Sequence, residues 1–558
     1  MSMSVLEKVH EQVKEAIREA IIKADLVSVD QIPEITLETP REKQHGDLAT
    51  NVAMQLVKVA RKSPRQIAEA LVAEIDQRKA FIRKLEIAGP GFINFFMDRS
   101  YLANVVPTVL TEGDSYGQTA TGAGKSVLLE YVSANPTGSL HLGHARGAAV
   151  GDALSNILEL AGYKVTREYY INDAGNQMDM MARSLEARYL EALGKESHLP
   201  EDGYRGEDIR QLGMKVAAEE GERLLALSAQ ERLGVLRTKG LEQLLVKIQQ
   251  DLGRYRVRFD HWFSETSLYQ SDAIKEVLKE LHVKGYTYEQ DGALWFKSTQ
   301  FGDDKDRVLV KQDGSYTYLT PDMAYHRDKF ERGFDRVVNI WGADHHGYIA
   351  RMRAFIEAMG YDSERFDVVI TQMVKLYQGG ELVKMSKRTG KAVTLTELLD
   401  EVGIDGTRYF FTMRSPDTHL DFDMDLAVSQ SNDNPVFYVQ YAHARICSVI
   451  KQASEQGITP DADQIDWDLL TEEQEYDLLN KLGEFPAEIA LAAENMAPNR
   501  VIRYIFELAS LFHSYYNAHR VIGDDPSVTQ ARLALYQAIQ QVLINGLKSI
   551  GVSAPEKM

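Results

Sequence analysis

With 558 residues the chain is too long for one hydrophobic core, and 44% hydrophobic with 26% charged residues describe a folded protein of roughly two to four domains, excluding dominant disorder. The formal charge of −19, from 63 Lys+Arg and 82 Asp+Glu, excludes an indiscriminate polyanion binder but not a local basic face. The single cysteine, Cys447, excludes an internal disulfide and a cysteine zinc cluster and suits the reducing cytoplasm, and no stretch reaches the length of a membrane span.

Val5, Leu6, Val9, Val13, Ile17 and Ile21 recur at helical spacing with Glu7, Glu11, Glu15 and Glu19 between them. This is an amphipathic helix of the mature fold, since targeting peptides are poor in acid. A second helix is expected around Leu48 to Val59 and a third from Pro64 to Ile75, where proline at the first helical position sacrifices no needed donor. Short strands then complete a small α/β or α+β unit over residues 1–112. Lys58, Arg61, Lys62, Arg65, Arg78, Lys79, Arg83 and Lys84 precede Gly91-Phe92-Ile93-Asn94-Phe95-Phe96. Such basic runs are ordinarily solvated faces, but beside an aromatic strand they become a candidate nucleic-acid surface.

Gly, Thr, Ala and Ser mark a linker near Gly113 to Gly124. Its end, Gly124-Lys125-Ser126, is not a P-loop, because Thr119 stands where glycine is required and the stretch precedes a strand instead of following one. Val127 to Val132 reads as a buried strand, a helix with Leu154, Ile157, Leu158 and Ala161 stops at Gly162, and Val165 to Ile171 is the next strand. That βαβ unit has a counterpart running from Arg336 to Trp341, through Gly342-Ala343-Asp344-His345-His346-Gly347 and a helix ending near Met359, to Phe366–Thr371. The expected fold is multidomain α/β. It comprises a split Rossmann-like parallel-sheet catalytic domain over residues 113–428 with a helical insertion at about 178–252, the small N-terminal domain, and a C-terminal α-helical bundle over 429–558. In the bundle, Tyr438, Tyr441 and Arg445 share a helix face.

In open parallel sheets ligands sit at the carboxyl ends of strands, where helix N-termini favour anions. There His141-Leu142-Gly143-His144 places two imidazoles on one helix face, with Gly143 allowing a flat ring to approach the backbone. Two such donors suit a phosphate that gains charge in a transition state. A zinc pair would need further ligands and an i, i+4 spacing with glutamate, whereas a purely structural capping pair stays open on this motif alone. Downstream, Gly379-Gly380 and Gly390 bracket Lys384-Met385-Ser386-Lys387, a loop able to close over polyphosphate with two mobile charges. Together the two motifs point to an ATP-using enzyme with nucleic-acid-binding appendages.

At these residues the chain resembles the class I aminoacyl-tRNA synthetases, whose signatures are HIGH and KMSKS; Arg388 replaces the last serine. It is similar to the arginyl-tRNA synthetases in Ser133-Ala134-Asn135-Pro136-Thr137-Gly138, Asn172-Asp173-Ala174-Gly175-Asn176-Gln177, Tyr318-Leu319-Thr320-Pro321-Asp322, Gly342-Ala343-Asp344-His345-His346 and the ending Gly551 to Met558. The resemblance implies that His141, Gly143, His144, Gly342, Asp344, Lys384, Met385, Ser386 and Lys387 bind ATP, the two histidines and two lysines being catalytic. It implies that Ser133, Asn135 and Gln372 hold the α-amino end of arginine, and that Glu130, Tyr318 and Asp322 form its guanidinium pocket. Carboxylates and an aromatic wall suit a planar cation, although Asp322 also fits a helix N-cap before Met323, and Glu130 could pair with a nearby base. By the same resemblance Asn94 and Phe95 read the tRNA elbow, and Tyr438, Tyr441 and Arg445 serve anticodon binding, with Tyr515 and Tyr516 as further stacking candidates. The implied partners are tRNA(Arg), L-arginine and ATP with Mg²⁺, without a resident metal, in a cytoplasmic monomer that needs tRNA before it activates arginine. The competing expectation is a catalytically reduced, synthetase-like RNA-binding protein. A nucleotidylyltransferase with the same motifs would be much shorter.

Overall fold

Five parallel strands drawn from three separate stretches of chain form the central sheet, in the order Phe366–Thr371, Arg336–Gly342, Ser126–Glu130, Lys164–Ile171, His261–Ser264. The computed structural model describes residues 4–40, 42–383, 393–461 and 465–558. Val127, Leu128, Leu129, Val337 and Val338 are fully buried, as expected of strands covered on both faces. The helix Leu142–Leu160 crosses from the third strand to the fourth and is buried nearly all round through Ala145, Ala148, Ala149, Ala153 and Leu154. Alanine at these positions lets the helix lie close to the sheet.

Helices Asn176–Ala192, Glu207–Glu220 and Ala229–Arg254 follow the fourth strand and share a core of their own around Met181, Leu185, Tyr189, Ile209 and Leu236. The chain then returns to add His261–Ser264 to the sheet. It next forms a small antiparallel sheet of Thr287–Gln290, Ala293–Phe296 and Arg307–Val310, none of which the hydrophobic pattern singles out.

In the N-terminal part, Ser4 and Glu7 cap the helix Val5–Lys23 reciprocally, and Val9, Val13, Ile17 and Ile21 are its buried stripe. Ser63 caps Pro64–Glu74 in the same way. The helix expected around Leu48 to Val59 is corrected. Leu48–Thr50 is a strand paired antiparallel with Phe92–Met97, and only the short turns Val52–Gln55 and Val57–Ala60 are helical. The Asp47 carboxylate accepts the Met97 amide at 2.7 Å and the Thr50 hydroxyl donates to the Thr36 carbonyl at 2.8 Å, contacts that draw this segment into the sheet.

Along the central strand of that sheet, Ile93, Phe95 and Met97 point to the core, with Phe92, Asn94 and Phe96 on the other face. Phe95 is fully buried, which corrects the expectation that its ring reads RNA. Asn94 is 6% exposed, held between Ala49 and Glu86 on the neighbouring strands. The outer face offers the half-buried Phe96 instead, with the Lys84 ammonium 5.1 Å from its ring centre.

The bundle consists mainly of Pro435–Glu455, Glu473–Glu494, Asn499–Ala518 and Pro526–Ser549. Tyr515 lies in its core, donating to Glu475 at 2.6 Å, so it is not a stacking surface. The three regions are knitted together by specific contacts. Arg99 forks onto the Glu473 carboxylate at 2.6 and 3.0 Å and lies over the Tyr476 ring, and Tyr116 donates to the Leu482 carbonyl. Arg408 is fully buried and donates to the Ile550 and Tyr255 carbonyls and to Asp152 of the Leu142–Leu160 helix.

Candidate active site

The carboxyl ends of the five strands gather Gln372, Asp344, the 130–135 segment, Asp173 and Glu265 along one edge of the sheet. This is where a crevice ligand is expected in such a fold. The strand Ser126–Glu130 ends in an abrupt turn in which Val132 (φ 68°) and Ser133 (φ 39°) both take the left-handed conformation. For a β-branched valine this is strained, and such strain persists only where surrounding contacts enforce it. Here the Ser133 hydroxyl donates to Glu130 Oε1 at 2.8 Å and accepts the Tyr170 amide at 3.2 Å.

The two histidines cap their own helix. His141 is the N-cap residue of Leu142–Leu160, its Nδ1 accepting the Gly143 amide at 3.2 Å, while His144 Nδ1 accepts the His141 amide at 3.3 Å. Both Nδ1 atoms are acceptors, so a neutral ring carries its proton on Nε2. The rings stack with centroids 3.8 Å apart. Burial, with His141 beside it, lowers His144 to about 3, so this imidazole is a neutral donor at physiological pH. A Cβ on Gly143 would meet the His141 ring at 3.2 Å. Likewise a Cβ on Gly342 would lie 2.7 Å from Asp344 Oδ1, and the exposed Asp344 faces His345 Nε2 at 3.7 Å. Lys384, Met385, Ser386 and Lys387 lie outside the described residues.

A group of buried acids neighbours one another near the carboxyl ends of the strands. Asp322 falls within the first turn of Leu319–Glu331, whose N-cap is Tyr318, so the N-cap alternative for Asp322 is set aside. Its Oδ2 accepts the Tyr348 hydroxyl at 2.7 Å, and burial raises its carboxyl to about 6 despite that bond. Tyr318 is 82% exposed at the start of the same helix, four residues before Asp322, and Tyr348 and Tyr170 are the rings packed close to Asp322. Glu130 accepts three hydrogen bonds, the Ser133 hydroxyl on Oε1 and two donors on Oε2. Its Oε2 accepts Lys329 Nζ at 2.5 Å and Asn339 Nδ2 at 3.0 Å, so the expectation that it might pair with a base holds, and the partner is the fully buried Lys329.

The sequence reading missed Glu265, 7% exposed, which immediately follows the fifth strand. Burial, then the charge of Asp322, raises it to about 7, and Tyr269 donates to it at 3.3 Å. Its place at a strand's carboxyl end was the available signal. Beneath this group Glu168 is fully buried. Burial alone would raise its carboxyl, but Arg332, which forks onto it at 2.6 and 2.9 Å, with Lys329 and Tyr325 brings it down to about 2. Glu168 is therefore a fixed structural anion, whereas Asp322 and Glu265 are acids held in an environment that favours a cation beside them.

A second candidate surface lies on the bundle. The Arg445 guanidinium is sandwiched between the rings of Tyr441 and Tyr516 at 4.6 and 4.4 Å, and it donates to the Tyr441 hydroxyl and to His513. His513 in turn donates to the Tyr438 carbonyl at 3.2 Å. Tyr441, Arg445, Tyr516, Lys451 and Met558 line a cavity of about 660 Å³ there.

Residues 105–428 match the family of tRNA synthetases class I (R), catalytic domain, residues 439–558 the DALR anticodon binding domain, and residues 11–97 the arginyl tRNA synthetase N terminal domain. The chain is 59% identical over 557 residues to the arginine–tRNA ligase 1 of Halalkalibacterium halodurans and 58% identical to the arginine–tRNA ligase of Bacillus subtilis, each alignment covering 100% of both chains. The arginyl-tRNA synthetase of Thermus thermophilus has the same fold, with a TM-score of 0.75 over 98% of this chain and 99% of that one, at 23% identity. By this full-length similarity the chain belongs to the class I arginyl-tRNA synthetases.

Proposed function

We infer that the chain is an arginine–tRNA ligase, which converts L-arginine and ATP to arginyl-adenylate and pyrophosphate and then transfers arginine to the 3′-terminal adenosine of tRNA(Arg). The observation that carries this reading is the full-length identity of 58–59% to arginine–tRNA ligases, and the capped imidazole pair and the buried acids Asp322 and Glu265 support it. An anion-stabilising face and a guanidinium-favouring face are what joining arginine to a phosphate requires.

In the first step an arginine carboxylate oxygen attacks the α-phosphorus, and the bond from that phosphorus to the bridging oxygen breaks as pyrophosphate leaves. His144 Nε2–H and His141 serve the phosphate, and Lys384 and Lys387 the departing charge. Asp322 and Glu265 take the guanidinium, Tyr348 orients Asp322, and Gln372 with Asn135 serves the amino end. Ser133, engaged with Glu130 and the Tyr170 amide, fixes the loop. In the second step a ribose hydroxyl of the terminal adenosine attacks the arginyl carbonyl carbon and AMP leaves. Positioning and charge stabilisation supply most of the rate, and Mg²⁺ enters with the polyphosphate. The Arg445 sandwich and the outer face around Phe96 and Lys84 are the surfaces offered to the anticodon and elbow of tRNA. The enzyme works as a cytoplasmic monomer.

ATP–pyrophosphate exchange with each amino acid, with and without tRNA, tests the reading. Exchange should require arginine and tRNA together, and Lys387→Met should abolish it while leaving arginine binding nearly unchanged. Exchange driven by another amino acid, or none with arginine and tRNA, refutes the ligase assignment; robust exchange without tRNA refutes the tRNA requirement alone.

A further inference from the structure

Arg146 lies on the Leu142–Leu160 helix two residues beyond His144, about 200° away around the axis, so it faces the interior while His144 faces the crevice. It is fully buried. Among the described residues no carboxylate comes within ion-pair distance, and its Nε has no partner. The guanidinium is instead spent on backbone: Nη1 donates to the carbonyls of Gln372 at 2.7 Å and Thr418 at 2.8 Å, and Nη2 to that of Ser415 at 3.0 Å. Burial lowers this arginine to about 10, with the charge of Asp417 opposing the shift.

A buried cation without a carboxylate is expensive for a protein to keep, and an apolar side chain of similar volume ordinarily serves stability as well or better. What Arg146 grips accounts for its presence. Gln372 and Met373 form the crossover from the sheet-edge strand Phe366–Thr371 to Val374–Gln378, which pairs in parallel with Leu420–Asp423. The same two stretches are stitched by Gln372 N to the Pro416 carbonyl at 2.9 Å and Leu420 N to the Met373 carbonyl at 3.2 Å. Further along, Leu395 N donates to the Leu140 carbonyl at 2.8 Å, so the chain at Leu395 lies beside the start of the histidine helix. The guanidinium thus ties the histidine helix to the crossover at Gln372 and Met373.

We propose that Arg146 is a positioning residue for amino-acid activation: by holding the Gln372, Ser415 and Thr418 carbonyls on one fork, it fixes the Gln372 side chain against the histidine pair at the amino end of arginine. A planar fork can serve three carbonyls in a fixed plane, and a lysine ammonium cannot reproduce that geometry, although it retains the charge. The proposal rests on the reading of Gln372 as a holder of the amino end.

The test uses the full-length protein with tRNA, comparing Arg146→Lys, Arg146→Met, Gln372→Ala and the double variant Arg146→Lys/Gln372→Ala by pyrophosphate exchange and thermal melting. Arg146→Lys is expected to raise the arginine KM by roughly tenfold or more, with the ATP KM within about threefold of wild type. In the Gln372→Ala background the same change should add less than about threefold, since the two act as a unit. Arg146→Met should show the same selectivity with a larger effect. A wild-type arginine KM in Arg146→Lys, equal losses for arginine and ATP, or full additivity in the double variant overturns the proposal. If both Arg146 variants fail to fold, the side chain belongs to stability and the proposal falls. An unchanged arginine KM in Gln372→Ala alone removes the underlying reading and this proposal with it, whereas a raised one beside a wild-type Arg146→Lys overturns only the proposal.

Discussion

Replacing Asp322 with asparagine should make the protein more stable and worse at binding arginine. Burial raises this carboxyl from 3.8 to about 6, so keeping it ionised in the folded free protein costs roughly 3 kcal/mol more than in the unfolded chain. The sign follows from the raised value: its contribution is fully favourable below pH 3.8 and is lost as pH rises through about 6. Asparagine keeps an acceptor for the Tyr348 hydroxyl but has no charge to desolvate. The change also forfeits a favourable carboxylate in the first helical turn, worth about 0.3–1 kcal/mol, which is too little to reverse the outcome. Asp322→Asn should therefore melt above wild type at pH 8, with the gap closing toward pH 4. Arginine binding should weaken by about 2–5 kcal/mol, roughly 30- to several-thousandfold. Citrulline, a neutral isostere, should be penalised far less, and ATP binding should be unaffected. Calorimetric titration of both ligands beside melts at the two pH values provides the readout. An unchanged arginine affinity, or a lower melting point than wild type at pH 8, would refute the reasoning.

The arginine KM of the wild-type enzyme should rise as pH falls from 8 to 6, because Glu265 takes up a proton near pH 7 and loses the charge a guanidinium pairs with. Glu265→Gln should raise the KM at pH 8 and flatten this dependence, and a wild-type KM that is level across the range would contradict the assignment. Arg408→Met leaves Asp152 buried without its partner and should destabilise the fold by about 3–5 kcal/mol. The added change Asp152→Leu should recover most of that loss in a thermal melt, and a single variant melting with wild type would show that the pair contributes nothing.

Long buried runs were the legible part of this sequence. Val127 to Leu129 and Val337 to Ile340 read as parallel strands because hydrophobic pressure acts on both faces, and the stripe from Val9 to Ile21 could form only a helix. Leu48–Thr50 has three residues, too few for any period to show. His261–Ser264 is an edge strand with an exposed histidine, and missing it concealed Glu265, which is positioned by that strand. The N-cap alternative for Asp322 misjudged Pro321. Proline is tolerated in a first helical turn, where its missing amide has no acceptor, so the helix begins at Leu319 and Asp322 is already inside it. Nothing local distinguishes Phe95 from Phe96; only the pleat decides that one is core and the other faces outward. The partner of Glu130 was beyond local reasoning altogether, since Lys329 lies 199 residues away.

The split of the parallel sheet also shapes how the chain is made. The Ser126 amide and hydroxyl both bond the Asp335 carboxylate, 209 residues further on, beside the pairing of Ser126–Glu130 with Arg336–Gly342. During synthesis at about 5–20 residues per second, that neighbour leaves the ribosome roughly 10–40 s after the strand it must join. For this interval Val127, Leu128 and Leu129 have only Lys164–Ile171 beside them, and the opposite edge is an unpaired template for any passing strand. The helices from Asn176 to Arg254 emerge in the meantime, with a separate core around Met181 and Leu236 that can close without the sheet. Slower translation across residues 131–342 should then lower the share of polypeptide that reaches the native sheet, because it lengthens the time this edge stays open.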